Sequence, residues 1–259
     1  MTVIKRGQPI RSLDEWALLA GPRRADQWEP GRSAMEAARS WLAVTGPVLP
    51  VQIATALARN SAFGPVVEWS AEPEARLRFD ALRGETRNTD LLLRARDPNG
   101  SFLVAVESKA DESFGETVAE ALGAARKRLV KHPRSGGVER VAWLLSALFG
   151  RTLQEEPELG ALRYQLLTAT AGALAAARRE GSVRVVLLVQ EFRTSLTVDQ
   201  RLAANGADLD AFVSRLTRGA LHCVTPGSVF GPYRVSAGDA ESPPFFVGKV
   251  RHDLRATDA

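Results

Sequence analysis

Apolar and polar positions alternate in recognisable blocks along the 259 residues of the chain. The clearest block covers residues 89–112. Leu91, Leu92 and Leu93 form one apolar run and residues 102–106 a second, with Asp97-Pro98-Asn99-Gly100 between them. Two apolar runs around a dense turn signal predict a β-hairpin. If Asp97 pairs with Gly100 across the turn, the same register sets Asp90 opposite Glu107, with Cβ atoms about 5 Å apart. Side chains alternate along a strand, so Glu107 and Lys109 share a face and Ser108 points away. Two carboxylates and an amine then meet at the strand ends. Like charges that close repel unless a cation lies between them.

The blocks on either side supply the other elements. Residues 12–19 read as a short helix with Ser12 as N-cap, ended by Gly21-Pro22. A second helix opens at Ser33 and runs to about Val44, where Gly46-Pro47 stops it. Ser33 and Glu36 have the spacing of a capping box. Residues 50–59 make a further short helix, 60–73 a loop, 75–79 a strand of alternating character and 84–88 a polar turn. In residues 116–130, Val118, Leu122, Ala125 and Leu129 mark one apolar helical face. That helix is acidic at its start and ends in Arg126-Lys127-Arg128, as the helix dipole favours. A basic loop with Lys131, His132 and Arg134 follows. Then come a helix over 138–149 closed by Gly150, a long alanine-rich helix over 159–180 closed by Gly181, and a buried strand over 183–189. Beyond Ser195 the pattern predicts a helix near 209–216 and short strands around 221–224, 233–235 and 245–250. Residues 253–259 are expected to be disordered.

Taken together, residues 33–192 read as helix, three strands, a helical insertion at 113–158, helix and strand. The expected class is α/β with a mixed sheet. Residues 1–32 form an N-terminal helical extension, and residues 193–259 a C-terminal extension packed on the core.

Composition narrows the chemistry. Hydrophobic residues at 45% and charged residues at 25% suit a globular protein with a sizeable core. The single Cys223 excludes an intramolecular disulfide and a cysteine zinc cluster. His132, His222 and His252 have no metal-ligand spacing. No apolar run approaches the ~20 residues that span a bilayer, and the N-terminus lacks a signal-peptide core. The expected compartment is a reducing cytoplasm. A net charge of +4 and a pI near 9.6 favour an anionic partner, nucleic acid first. No Walker loop, GxGxxG or GxSxG is present.

Asp90, a strand, a turn, a second strand and Glu107-Ser108-Lys109 resemble the D…(D/E)xK signature of the PD-(D/E)XK nuclease superfamily, with Thr89 where the namesake pattern has proline. The helix and strand order resembles that superfamily's restriction endonuclease-like αβββαβ core. Trp28 to Glu36 and Glu107 to Gly115 also resemble an uncharacterised group of bacterial proteins assigned to it. The resemblance implies a nuclease that hydrolyses DNA phosphodiester bonds with Mg²⁺ or Mn²⁺. It implies Asp90, Glu107 and the Ser108 carbonyl as metal ligands and Lys109 as the group that supports the attacking water. Glu36, on the first core helix, matches the position of a glutamate aimed at the metal, and it also suits a plain capping role. Gln165 resembles the helix glutamine of RecB-type members, or is a surface residue. Asp111 and Glu112 either coordinate a second metal or solvate the loop. Arg126, Lys127, Arg128, Lys131 and Arg134 either meet a phosphate backbone or balance a helix end. Expected partners are DNA and, as a further candidate, a second copy of the chain, with no membrane. The alternative is a catalytically inactive module on the same fold that binds nucleic acid or a protein.

Overall fold

The computed structural model describes residues 1–44, 46, 48–82, 88–236 and 242–255. Along the chain, its strands and helices are β1 (Thr2–Lys5), β2 (Gln8–Ile10), α1 (Leu13–Ala20), α2 (Ser33–Leu42), α3 (Val51–Ala58), β3 (Glu68–Arg76), β4 (Asn88–Asp97) and β5 (Gly100–Lys109). They continue as α4 (Val118–Lys131), α5 (Gly137–Phe149), α6 (Tyr164–Glu180), β6 (Arg184–Arg193), α7 (Asp199–Leu216), β7 (Ser228–Tyr233) and β8 (Phe245–Asp253). The strands form one mixed sheet in the order β2-β1-β3-β4-β5-β6-β8-β7. Helices cover both faces.

The central strands are apolar on both sides, and this follows from the two cores they separate. Phe102, Val104, Val106, Val186 and Leu188 face α2 and α3. Leu103, Ala105, Val185, Leu187 and Val189 face α4 to α7. The β4–β5 register is the one the turn implies, from Asp97↔Gly100 to Leu91↔Val106. Asp97 makes that turn rigid: its carboxylate accepts from the Asn99 amide at 2.8 Å and from the Gly64 amide at 2.9 Å. It also pairs with the buried Arg184 guanidinium at 2.6 Å.

Several sequence expectations need correction. The N-terminus forms a β-hairpin, β1–β2, which joins the sheet beside β3. Its strands are too short for alternation to stand out. Part of the segment expected as a loop before Pro73 is strand β3, which ends at Arg76. Pro73 is tolerated because β1 pairs with β3 only at Ser70 and Ala71, so no ladder bond is asked of the proline. Glu74, at φ 50°, then turns the strand over. Ala71 packs toward α2 and α3, whereas Ala75 and Leu77 pack toward α6. The chain crosses α6 so closely there that a Cβ on Gly172 would lie 2.8 Å from Leu77.

The capping box at Ser33 is absent: Arg32 is the N-cap and Ser33 the first helical residue. A capping box does exist at the start of α4, between Thr117 and Glu120. The long helix begins at Tyr164, after a short 3-10 turn (Pro157–Ala161). The C-terminal segment continues the sheet, with β8 parallel to β6 and β7 antiparallel to β8. The expected strand at 221–224 does not form, and α7 starts ten residues earlier than expected, at Asp199 against residue 209. The proposed turn at 84–88 lies outside the described residues except for Asn88, as does Pro47 of the α2 stop signal. Most of the tail at 253–259 lies outside them too. Ser12 does cap α1, accepting from the Glu15 amide at 3.1 Å, and Gly150 and Gly181 end α5 and α6 in left-handed geometry.

Candidate functional site at the carboxyl ends of β5, β6 and β8

Strand β5 carries its charged residues at its end, after the run that fills both cores. Glu107 is 0% exposed and Lys109 4%. A carboxylate removed from water needs hydrogen-bond donors. The Gln165 side-chain amide reaches Glu107 from α6, and so does the Thr89 hydroxyl at 3.2 Å, which also lies 3.0 Å from the Val106 carbonyl. Gln165 is therefore a buried partner of the site and not a surface residue.

The regular β4–β5 ladder ends at Leu91↔Val106. Beyond it, side chains take over. The Ser108 amide donates to Asp90 Oδ2 at 2.7 Å, and Thr89 reaches the Val106 carbonyl. Asp90 and Glu107 are the next residues past the last ladder pair, Leu91↔Val106, and the expected 90–107 pairing is not part of the regular ladder. The Asp90 carboxylate is turned onto the Ser108 main chain. Lys109 Nζ lies 5.3 Å from the Phe114 ring centre, a cation–π contact, and among the described residues no carboxylate pairs with it. The Ser108 hydroxyl is buried without a partner among the described residues.

Parallel pairing aligns further charges that sequence reading passed over. In backbone register Lys109 stands beside Glu191 on β6, and Glu191 beside Arg251 on β8. Glu191 is 1% exposed and accepts from Arg251 at 2.8 and 3.0 Å. Lys249 lies one step down, in register with Val189 and hence with Glu107. Side-chain alternation is unbroken here. Leu187 and Val189 on β6 and Phe245 and Val247 on β8 face α6, so Glu191, Lys249 and Arg251 fall on that face too. The only sequence signal was the polar pair Gln190-Glu191 at the end of an apolar strand. Ligand sites in open α/β sheets favour this location, outside the carboxyl ends of parallel strands.

The remaining candidates sit elsewhere. Glu36 is buried, accepts from the Gly31 amide at 2.8 Å and pairs with Arg39 at 2.8 Å. Both bonds are local to the α2 terminus, and neither involves Asp90 or Glu107. Asp111 pairs with Arg32, and burial, with the neighbouring Glu112 adding to it, raises its carboxyl above the usual range. Glu112 accepts from the Ala110 and Asp111 amides, and its carbonyl accepts from Asn205 on α7 at 2.9 Å. The start of α4 is pinned to the start of α6 by bonds from Val118 to Leu162 and from Tyr164 to Glu116. Arg126, Lys127, Arg128, Lys131 and Arg134 are exposed at or beyond its other end, roughly 15–20 Å along the helix. They are not part of this site.

The donor set can be tested against Mg²⁺. Among the described residues no group of three or more His, Cys, Asp or Glu side chains is placed to hold a metal. Mg²⁺ does not need one: it is commonly held by one or two carboxylates and keeps several waters. Asp90 Oδ1 accepts no hydrogen bond among the described residues. A carboxylate has about four acceptor positions, so a hydrogen-bonded Glu107 can still share an oxygen with an ion. Asp90 and Glu107 are oxygen donors of the type a hard divalent ion takes.

Comparison with known proteins adds a family and no activity. Residues 9–253 match the model of a domain of unknown function, DUF6946, and the chain belongs to that family. Neither the curated proteins nor the solved structures contain a match. Among the described residues no helix is long and apolar enough to cross a membrane.

Proposed function

We propose that this protein is a divalent-metal-dependent phosphodiesterase acting on DNA, of the PD-(D/E)XK kind. The observation that carries the reading is the end of the β4–β5 ladder, where Asp90 and Glu107 follow the last pair, Leu91↔Val106, and the Asp90 carboxylate accepts from the Ser108 amide, with Lys109 two residues beyond Glu107 and without a carboxylate partner among the described residues. The order α2, β3, β4, β5, α6, β6, with β6 parallel to β5, supports it further.

In this reading Asp90 and Glu107 would hold Mg²⁺ or Mn²⁺, with the Ser108 carbonyl as a further oxygen donor. A bound ion of this kind supplies neutralisation of the phosphate and a more acidic water. The chain supplies the rest. Gln165 and Thr89 fix the Glu107 carboxylate in one orientation, so that little reorganisation is left for the reaction. The Lys109 ammonium donates hydrogen bonds to the attacking water or to the oxygen that gains charge.

The full burial of Glu107 favours a second reading, a non-catalytic module of the same architecture that binds nucleic acid or a protein. One experiment separates the two. Mn²⁺ is titrated calorimetrically into wild type, Asp90→Asn and Lys109→Ala, beside a nuclease assay on single-stranded, double-stranded and branched DNA with and without EDTA. The nuclease reading expects metal binding that Asp90→Asn weakens and Lys109→Ala spares, and cleavage that both variants and EDTA remove. A wild-type protein that binds no divalent metal sinks that reading and leaves the module.

A further inference from the structure

We propose that the cleft between the β1–β2 hairpin, the end of α1 and the start of β4 seats the phosphate backbone of a nucleic acid. This goes beyond the cleavage reading, because it holds whether or not the Asp90 site is catalytic.

The cleft is a cavity of about 760 Å³ lined by Arg6, Arg23, Arg24, Arg76, Glu74 and Asn88, among others. A second cavity of about 340 Å³ shares Arg6 and Arg76 and runs on to Arg94 and Arg179. Some of these cations are already engaged. Lys5 donates to the Pro73 and Glu74 carbonyls, both at 2.7 Å, Arg24 pairs with Asp26, and Arg94 pairs with Glu72 and Glu180. Arg6 and Arg76 have no carboxylate partner among the described residues. Two such guanidinium groups lining both of two neighbouring cavities leave a concave, positively charged surface, which raises the local concentration of anions.

Two features of the backbone point to a built surface. Arg6 stands at φ 52° beside Gly7 at φ 77°, in a tight hairpin turn. Asparagine or glycine suits that conformation better than a long cation does. Strain of this kind is commonly kept where a side chain has work to do. The turned-over residue Glu74 is held on the facing wall by Lys5 through the two carbonyl bonds.

Position links the cleft to the site. Arg76 pairs across the sheet with Asn88, two residues before Asp90 and so about 7 Å along the strand. A polyanion lying over Arg6 and Arg76 lies near the start of β4, two residues from Asp90. The surface is concave, which suits a strand better than a flat bilayer, and its extent across two cavities suits several phosphates better than one.

The test measures binding of labelled single-stranded and duplex oligonucleotides to the full chain at several salt concentrations, in the Lys109→Ala background with EDTA so that nothing is cut. Arg6→Asn keeps a residue suited to the left-handed turn, and Arg76→Gln keeps length without charge. We expect the double variant to bind about tenfold or more weakly and to lose about two from the slope of log affinity against log salt, one per phosphate contact removed. Its melting temperature should not fall below the parent value, since Arg6→Asn relieves the turn strain, and the Mn²⁺ affinity of the Asp90–Glu107 region should be unchanged. Unchanged oligonucleotide affinity in the double variant overturns the proposal, as does loss of binding only in Lys127→Gln/Arg128→Gln. Tighter binding to phosphatidylserine vesicles than to oligonucleotides overturns it in favour of a membrane. Binding of pyrophosphate without oligonucleotide binding overturns it in favour of a small anion. Groove-dependent binding with no cleavage by the wild type upholds this proposal while the phosphodiesterase reading fails. Cleavage that is insensitive to the groove variants does the reverse.

Discussion

Gln165 on α6 donates its side-chain amide to the carboxylate of Glu107 on β5, a residue 58 positions away in sequence and fully buried. This bond ties the central helix of one face of the sheet to the end of a central strand. It gives the candidate site a fixed carboxylate, and it gives the fold a polar contact inside its larger core.

Removing the donor should therefore cost stability. Gln165→Leu takes a hydrogen-bond donor away from a buried carboxylate, and a loss of about 1.5–3 kcal/mol is expected. Glu107→Gln should cost less, because an amide can accept from Gln165 and donate to Thr89. Urea denaturation of both variants gives the comparison. Equal losses would mean that the bond is not what stabilises this position.

Lys109 should matter to chemistry and little to folding. Its ammonium has a cation–π contact with Phe114 and no carboxylate partner among the described residues. Lys109→Met keeps length and keeps an aromatic contact, so stability should change by less than about 1 kcal/mol. On the phosphodiesterase reading the variant binds Mn²⁺ as wild type does and turns over nothing. Retained cleavage would remove Lys109 from the mechanism.

Arg184 and Asp97 close the far end of the hairpin, with side chains 7% and 0% exposed. Arg184 also lies over the Phe63 and Phe102 rings at 5.0 and 5.1 Å. Arg184→Met strands a buried carboxylate and should destabilise by about 3–5 kcal/mol. Adding Asp97→Asn removes that charge and should recover part of the loss. A double variant no more stable than Arg184→Met would count against stranded charge as the cause.

His252 sets a pH limit. It is buried between Phe192, on which it stacks at 4.8 Å, and Gln190, 3.0 Å from its Nε2, and burial pushes its pKa down from 6.5 to about 4. The folded protein holds the ring neutral, while the unfolded chain takes up a proton near 6.5. Protonation then favours the unfolded state. This residue's contribution is complete above the unfolded value and is lost as the pH falls from about 6.5 toward about 4. Denaturation midpoints measured across that range should fall less steeply in His252→Gln than in wild type. Parallel curves would refute the assignment.

Much of the site was legible in the chain because it rests on local rules. The Asp97-to-Gly100 turn fixes the β4–β5 register as far as Leu91↔Val106, the pair just before Asp90 and Glu107, without reference to any other element. Ser12, Gly150 and Gly181 mark helix ends for equally local reasons, a side-chain acceptor in one case and left-handed backbone in the others. What the sequence could not decide was what each polar residue meets. Glu36 suited a capping box as well as a metal site, yet the chain path before α2 presents the Gly31 amide and Arg39 to it instead. Gln165 read more readily as a surface residue than as part of the site, and only the packing of α6 on β5 buries it against Glu107. Glu191 and Arg251 were invisible because parallel strands are paired by crossovers of many residues, with no turn to count from. Local backbone chemistry is written in neighbouring residues and can be read from them. Neighbours across a parallel sheet are set by the packing of two cores, which no short stretch of sequence contains.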